Sequence, residues 1–299
     1  MGLSDYPSNS QNQLEGGAVG RYRRYPLLTP FSKRKVMRGG PVFPTGVFVG
    51  VKKYGDVKVV DLSEWGRPLG RAGARFLKEK PISVLQVTHL HLMLALVAAV
   101  LITREHIVLA CFLLIVKGII DAVDGELARL RERPSHVGRY WDTFADTIGL
   151  VAVMVAFSSI LGWSAILTGG MVLATLIQYS LFNHYSVLLR MKGTGDFTSR
   201  IDEREQPVAH PWEKQSTVNA FHAIYVALFS WQDSLVTRCS GKGSSSLRFE
   251  LTASSFLGFG MQSLIIFGLA VVGSIHYLPE LVLGLNMGLT ALVLLRSWI

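Results

Sequence analysis

The chain has 299 residues, of which 49% are hydrophobic and only 17% charged, with a mean hydropathy of +0.35. That is too apolar for an ordinary soluble domain and indicates several membrane spans. The formal net charge is +9 and the pI is near 9.7. The bases gather in the N-terminal region and in loops beside apolar runs, which fits an anionic membrane surface better than nucleic acid. Cys111 and Cys239 form no C-x-x-C, so neither a zinc site nor a disulfide framework is expected.

Residues 1–40 are rich in Ser, Asn, Gly and Arg without periodicity, and read as a flexible basic cytosolic tail with no signal peptide. Residues 41–80 form a second region. Two β-branched runs around Lys53-Tyr54-Gly55-Asp56 predict a small hairpin over 47–61. Residues 62–80 interleave Arg67, Arg71, Arg75 and Lys78 with Leu69, Ala72, Phe76 and Leu77, the pattern of an amphipathic helix lying on the membrane. Gly66, Pro68, Gly70 and Gly73 weaken that helix, most of all in its first half.

Residues 81–299 read as a membrane domain of six spans, at about 82–102, 107–131, 138–160, 163–189, 252–276 and 279–297. A polar insertion, 190–250, separates the fourth from the fifth. Within it, 215–238 predicts an interfacial or docked helix, and Gly241–Ser246 a flexible connector. Arg131, Arg133 and Arg139 lie between spans two and three, and eight more bases in the insertion. The positive-inside rule then puts the N-terminus, that turn and the insertion in the cytosol.

The chemistry concentrates between Asp121 and Asp146. Asp121 and Asp124 are three apart, Asp142 and Asp146 four apart, and on helices each pair shares a face. Apolar runs flank both pairs, so two hydrophobic helices meet at the polar turn 131–139 with their carboxylates at one depth. Ionisable groups in such segments are costly and usually mark a site. Four neighbouring carboxylates need cations, and one or two Mg²⁺ or Mn²⁺ ions with oxygen ligands are the simplest remedy. His89 and His91, two apart, are split across a helix and read as polar face residues rather than ligands.

Asp121-x-x-Asp124-Gly125-x-x-Ala128-Arg129, then Gly138, Asp142 and Asp146 at set gaps, resembles in full the signature of the CDP-alcohol phosphatidyltransferases. The resemblance implies an all-α, six-helix membrane bundle that moves a phosphatidyl or similar group from a CDP-activated donor to an alcohol, releasing CMP, in phospholipid biosynthesis. It implies Asp121, Asp124, Asp142 and Asp146 as metal ligands, with Asp146 also the general base for the acceptor hydroxyl. It gives Gly125, Ala128 and Arg129 to the CDP moiety, with Ser135 as a further donor contact and Gly138 in the same signature. Two metals about 3.5–4 Å apart would stabilise both the attacking and the leaving oxygen. The family often shows Asn-x-x-Thr in its first span; here Thr88 matches and Leu85 replaces Asn.

The acceptor is less defined. Thr147 follows the last aspartate where members using charged acceptors often carry Arg or Lys, so a charged alcohol would need Lys117 or Arg190. The pattern leans towards serine or another uncharged or zwitterionic alcohol, with CDP-diacylglycerol as the leading donor. An active site facing the cytosol and a homodimer packed through the bundle complete the expectation. The competing readings are an intramembrane prenyltransferase and a cation or proton transporter built on the acidic cluster.

Overall fold

In the computed structural model, the described residues are 59–131, 133–192, 205–241 and 247–298, all within the unit Phe48–Ile299. The expected basic tail, nearly all of the expected hairpin, and the connector beyond Gly241 lie outside them. Residues 59–61 are not strand, and the described residues form no strands at all.

A short 3₁₀ turn, Leu62–Glu64, capped by the Asp61 carboxylate, leads into α1, Arg67–Leu77. The expected amphipathic helix is therefore shorter than 62–80, and its glycines have a use that sequence reasoning did not give them. A Cβ at Gly70 would come within 2.8 Å of the Ala122 Cβ, and one at Gly73 within 2.8 Å of Val123 Cγ2. Both glycines thus let α1 lie flush against α3, Ile107–Leu130. Leu69 and Phe76 stay exposed on its other side. Arg131 fastens the end of α1, donating to the carbonyls of Leu77, Lys80 and Ile82 at 2.6 to 2.9 Å.

Between them runs α2, Val84–Thr103, opened by a capping box in which Ser83 and Gln86 satisfy each other's backbone N–H groups. Its buried face carries Val87, Thr88, His91, Ala95, Ala98, Ala99 and Ile102. Those small residues admit α3 on one side and α4, His136–Leu161, on the other. α2 and α4 approach closely at Gly149 of α4, where an added Cβ would sit 2.8 Å from that of Ala95. Gly162, at φ 68°, ends α4 in the left-handed conformation that glycine adopts without penalty. Next come α5, Ala165–Lys192, and α6, Gln215–Cys239; α6 packs on α4 and α5, which makes it a docked helix.

The expected fifth span is broken. It consists of α7, Leu247–Ser255, and α8, Phe259–Val271, with a turn at 256–258. The Leu62–Glu64 turn fills the break. Leu62 N–H donates to Ser255 Oγ, Trp65 Nε1 to Gly260 O, and Gly260 N–H to Ser63 Oγ. A Cβ at Gly260 would fall 2.0 Å from Ser63 O, so no other residue fits there in this conformation. The expected sixth span is a π-helical segment, Glu280–Asn286, continued by α9, Met287–Arg296.

Among the described residues, four segments are long and apolar enough to cross a membrane: Val84–Thr103, His136–Leu161, Ala165–Arg190 and Leu247–Val271. The 20 residues of α2 span about 30 Å, one hydrocarbon thickness. The main apolar core joins α2, α3, α4, α5 and α8 through residues such as Ile102, Cys111, Phe157 and Met171. The polar groups of α3 lie towards one end of that core.

Candidate active site

Three helices supply the site. Lys117, Asp121, Asp124 and Gly125 of α3 recur at helical spacing, so the apolar run that buries the helix also buries its carboxylates. Asp142 and Asp146 lie one turn apart on α4, and Gly149 continues their face, where it brings α2 close. Thr88 and His91, three apart on α2, project into the gap.

The carboxylates converge. One ligand atom each from His91, Asp124 and Asp142 lie within 4.8 Å of one another, and so do atoms from His91, Asp121 and Asp146. Thr88 donates its hydroxyl to Asp124 Oδ2. His91 Nε2 lies 3.1 Å from Asp142 Oδ1, and its Nδ1 lies 3.9 Å from Asp146 Oδ1. Lys117 donates to Asp146 and rests over the Phe259 ring, 4.1 Å from its centre. His91 is wholly buried and Lys117 and Asp124 nearly so, while the side chains of Asp142 and Asp146 keep 40% of their exposure.

This overturns the sequence reading of His91 as a polar face residue. Its place was legible in one respect, since His91 falls three after Thr88 and four before Ala95, on the small-residue stripe of α2. Lys117, one of the two cations expected to serve a charged acceptor, pairs with Asp146. Glu126 went unnoticed. It is almost fully buried and draws Arg67 at 2.5 Å, Arg129 at 3.4 Å and Arg71 at 3.6 Å. The Arg129 guanidinium lies over Gly125, where an added Cβ would stand 3.2 Å from Nη2.

Two cavities meet at Asp146. One, of about 380 Å³, is walled by α1, α3, α4, α5 and α8 and includes Trp65, Arg67, Asp121, Gly125 and Arg129. The other, of about 330 Å³, lies between α4, α5 and α6 and includes Arg139, Asp142, Thr143, Tyr179 and Asp233. Thr88, Asp124, Ala128, Ser135, Gly138 and Arg190 line neither of these two.

Ser135 instead caps α4. Its hydroxyl accepts the Gly138 N–H and donates to Glu213, both at 2.8 Å. Partial burial pushes the Glu213 carboxyl up, but bonds from the Val137 N–H, the Ser135 hydroxyl and the His136 and His210 N–H groups outweigh it. They hold Glu213 below its ordinary range.

A buried Asp124 and three partly buried aspartates, plus an imidazole nitrogen beside them with no hydrogen-bond partner, form a donor set that fits a hard divalent cation. Fold and site together define an integral membrane protein whose helices gather an acidic cluster beside two cavities. Residues 83–247 match the family model for CDP-alcohol phosphatidyltransferase, more than half of the chain, and the protein belongs to that family. Membership indicates transfer of a phospho-alcohol group from a CDP-alcohol. Compared with curated proteins, the chain has no significant match.

Proposed function

We propose that the protein transfers a phosphatidyl group from a CDP-activated lipid, with CDP-diacylglycerol the leading donor, to a small alcohol, and so serves phospholipid synthesis. The observation that carries this reading is the gathering of the four aspartates about His91, Asp124 with Asp142 and Asp121 with Asp146, with Asp121 on the larger cavity, Asp142 on the smaller and Asp146 on both.

Asp121, Asp124, Asp142 and Asp146 would hold one or two Mg²⁺ or Mn²⁺ ions, which would supply charge neutralisation for the phosphate oxygens. The donor enters from the larger cavity. Arg129, steadied by Glu126, offers its fork of donors to the diphosphate, and Gly125 leaves the helix backbone open beneath it. Apolar residues of the same cavity, among them Leu114, Ile266 and Val282, suit the lipid part.

The acceptor enters from the cavity between α4, α5 and α6, whose lining of hydroxyls, amides, Arg139 and Asp233 suits an uncharged or zwitterionic alcohol. Its oxygen forms a bond to the lipid-side phosphorus and the bond from phosphorus to the CMP oxygen breaks. Asp146, common to both cavities, takes the hydroxyl proton. Burial of the neighbouring groups keeps water from competing for the phosphoryl centre.

On this reading the bundle has six spans. The inward-turned charges of α3 and the π-helical start of the last segment explain why only four pass on length and composition. The distribution of bases supports a cytosol-facing site. The test is CMP release from CDP-diacylglycerol by purified protein in detergent, with Mn²⁺ or Mg²⁺ and a panel of alcohols, the lipid product read by chromatography. Folded protein that releases no CMP from any CDP-alcohol overturns the proposal.

A further inference from the structure

His91 has no task in the transfer step as derived, yet it sits at the centre of the cluster. Its ring is wholly buried. Nδ1 has no hydrogen-bond partner, and the nearest acidic oxygen, Asp146 Oδ1, is 3.9 Å away. The other nitrogen faces Asp142 Oδ1 at 3.1 Å. A neutral imidazole carries one N–H and one lone pair. If Nε2–H donates to Asp142, the lone pair on Nδ1 is turned towards Asp146. In the other tautomer the lone pair on Nε2 is turned on Asp142 at hydrogen-bonding distance. In both neutral tautomers a buried nitrogen lone pair confronts a carboxylate oxygen, and either a second ring proton or a metal ion between them relieves that arrangement; four aspartates gathered about the ring favour the metal ion. His91 is also the one residue common to both sets of converging ligand atoms.

We propose that His91 is a nitrogen ligand of the divalent-cation centre. The site is then a mixed imidazole and carboxylate one, and it favours first-row transition ions such as Mn²⁺ over Mg²⁺, whose preference is for oxygen. This rests on the reading that the aspartates hold a divalent cation. It goes beyond that reading in assigning a residue outside the signature and a metal preference that oxygen ligands alone do not confer.

The test is pulsed electron paramagnetic resonance on the full chain in detergent with Mn²⁺ as the probe. Nitrogen bound to Mn²⁺ gives ¹⁴N modulation, which histidine-selective ¹⁵N labelling converts to the ¹⁵N pattern. The expected result is bound Mn²⁺ with histidine modulation, lost in His91→Asn. Competition binding should show the Mn²⁺-to-Mg²⁺ affinity ratio of that variant falling about tenfold. Bound Mn²⁺ without histidine modulation overturns this inference alone and leaves His91 as a positioning residue for Asp142. Absence of bound Mn²⁺ overturns the metal reading with it. The spectrum of the unsubstituted protein decides the point even if His91→Asn fails to fold.

Discussion

Lys117→Met tests whether one ammonium group is what lets four carboxylates coexist without metal. Lys117 is 3% exposed, donates to Asp146 and lies over Phe259. Methionine keeps most of the length and the apolar contacts and removes the ammonium, its charge and its hydrogen bond to Asp146 together. Breaking a buried pair by deleting one partner costs about 3–5 kcal/mol. Because the Asp146 side chain is 40% exposed, the lower figure, about 3 kcal/mol, is the expected loss. In a chain of this size each kcal/mol shifts Tm by roughly 2–4 °C, so the metal-free variant should melt about 6–12 °C lower. A divalent ion then takes the place of the ammonium beside Asp146. If its affinity rises tenfold, saturating Mn²⁺ adds about 1.4 kcal/mol more to the variant than to the parent. Thermal unfolding in detergent, with EDTA and with Mn²⁺, reads both. Equal melting in EDTA, or equal shifts with Mn²⁺, would refute the counter-ion role.

Asp124→Asn and Asp142→Asn should each abolish turnover while the protein still elutes as a folded species; retained CMP release in either sinks the ligand assignment. Gly70→Leu should force α1 off α3, where a Cβ already meets the Ala122 Cβ at 2.8 Å. The overpacking costs about 1–3 kcal/mol, and steady-state kinetics should show a raised KM for the CDP donor with kcat little changed, because Arg67 moves and the aspartates stay. Glu213 carries a depressed folded value, so its stabilising effect is full above its ordinary 4.5 and fades as pH falls through the lower folded value. Glu213→Gln should therefore lower Tm at neutral pH and flatten the acid limb of a Tm-against-pH profile; an unchanged profile would count against that role.

The sequence showed the aspartate face because its periodicity is strong and its spacing is interrupted by nothing. It showed the paired carboxylates of α3 and α4 as neighbours because a short polar turn allows two apolar helices little else. His91 and Glu126 stayed hidden for a common reason. Each is polar in a helix whose burial depends on neighbours far away in sequence, and local pattern does not say which face those neighbours cover. The break at 256–258 was equally invisible. Hydropathy over 247–271 is continuous, and only the approach of Ser63 reveals why Gly258 and Gly260 interrupt it. The glycines of α1 were weighed as helix breakers, while their value lies in the contact they permit with Ala122 and Val123.

The docking of the Leu62–Trp65 stretch into that break has a consequence for biogenesis. Trp65 bonds to a residue 195 positions later in the chain. A ribosome therefore delivers the arm long before its seat around Gly260 exists, whereas Glu126, the partner of Arg67, follows only 59 positions later. Docking of the arm thus follows synthesis of the fifth apolar segment, so the two ends of the chain must both be present before the Leu62–Trp65 contacts close.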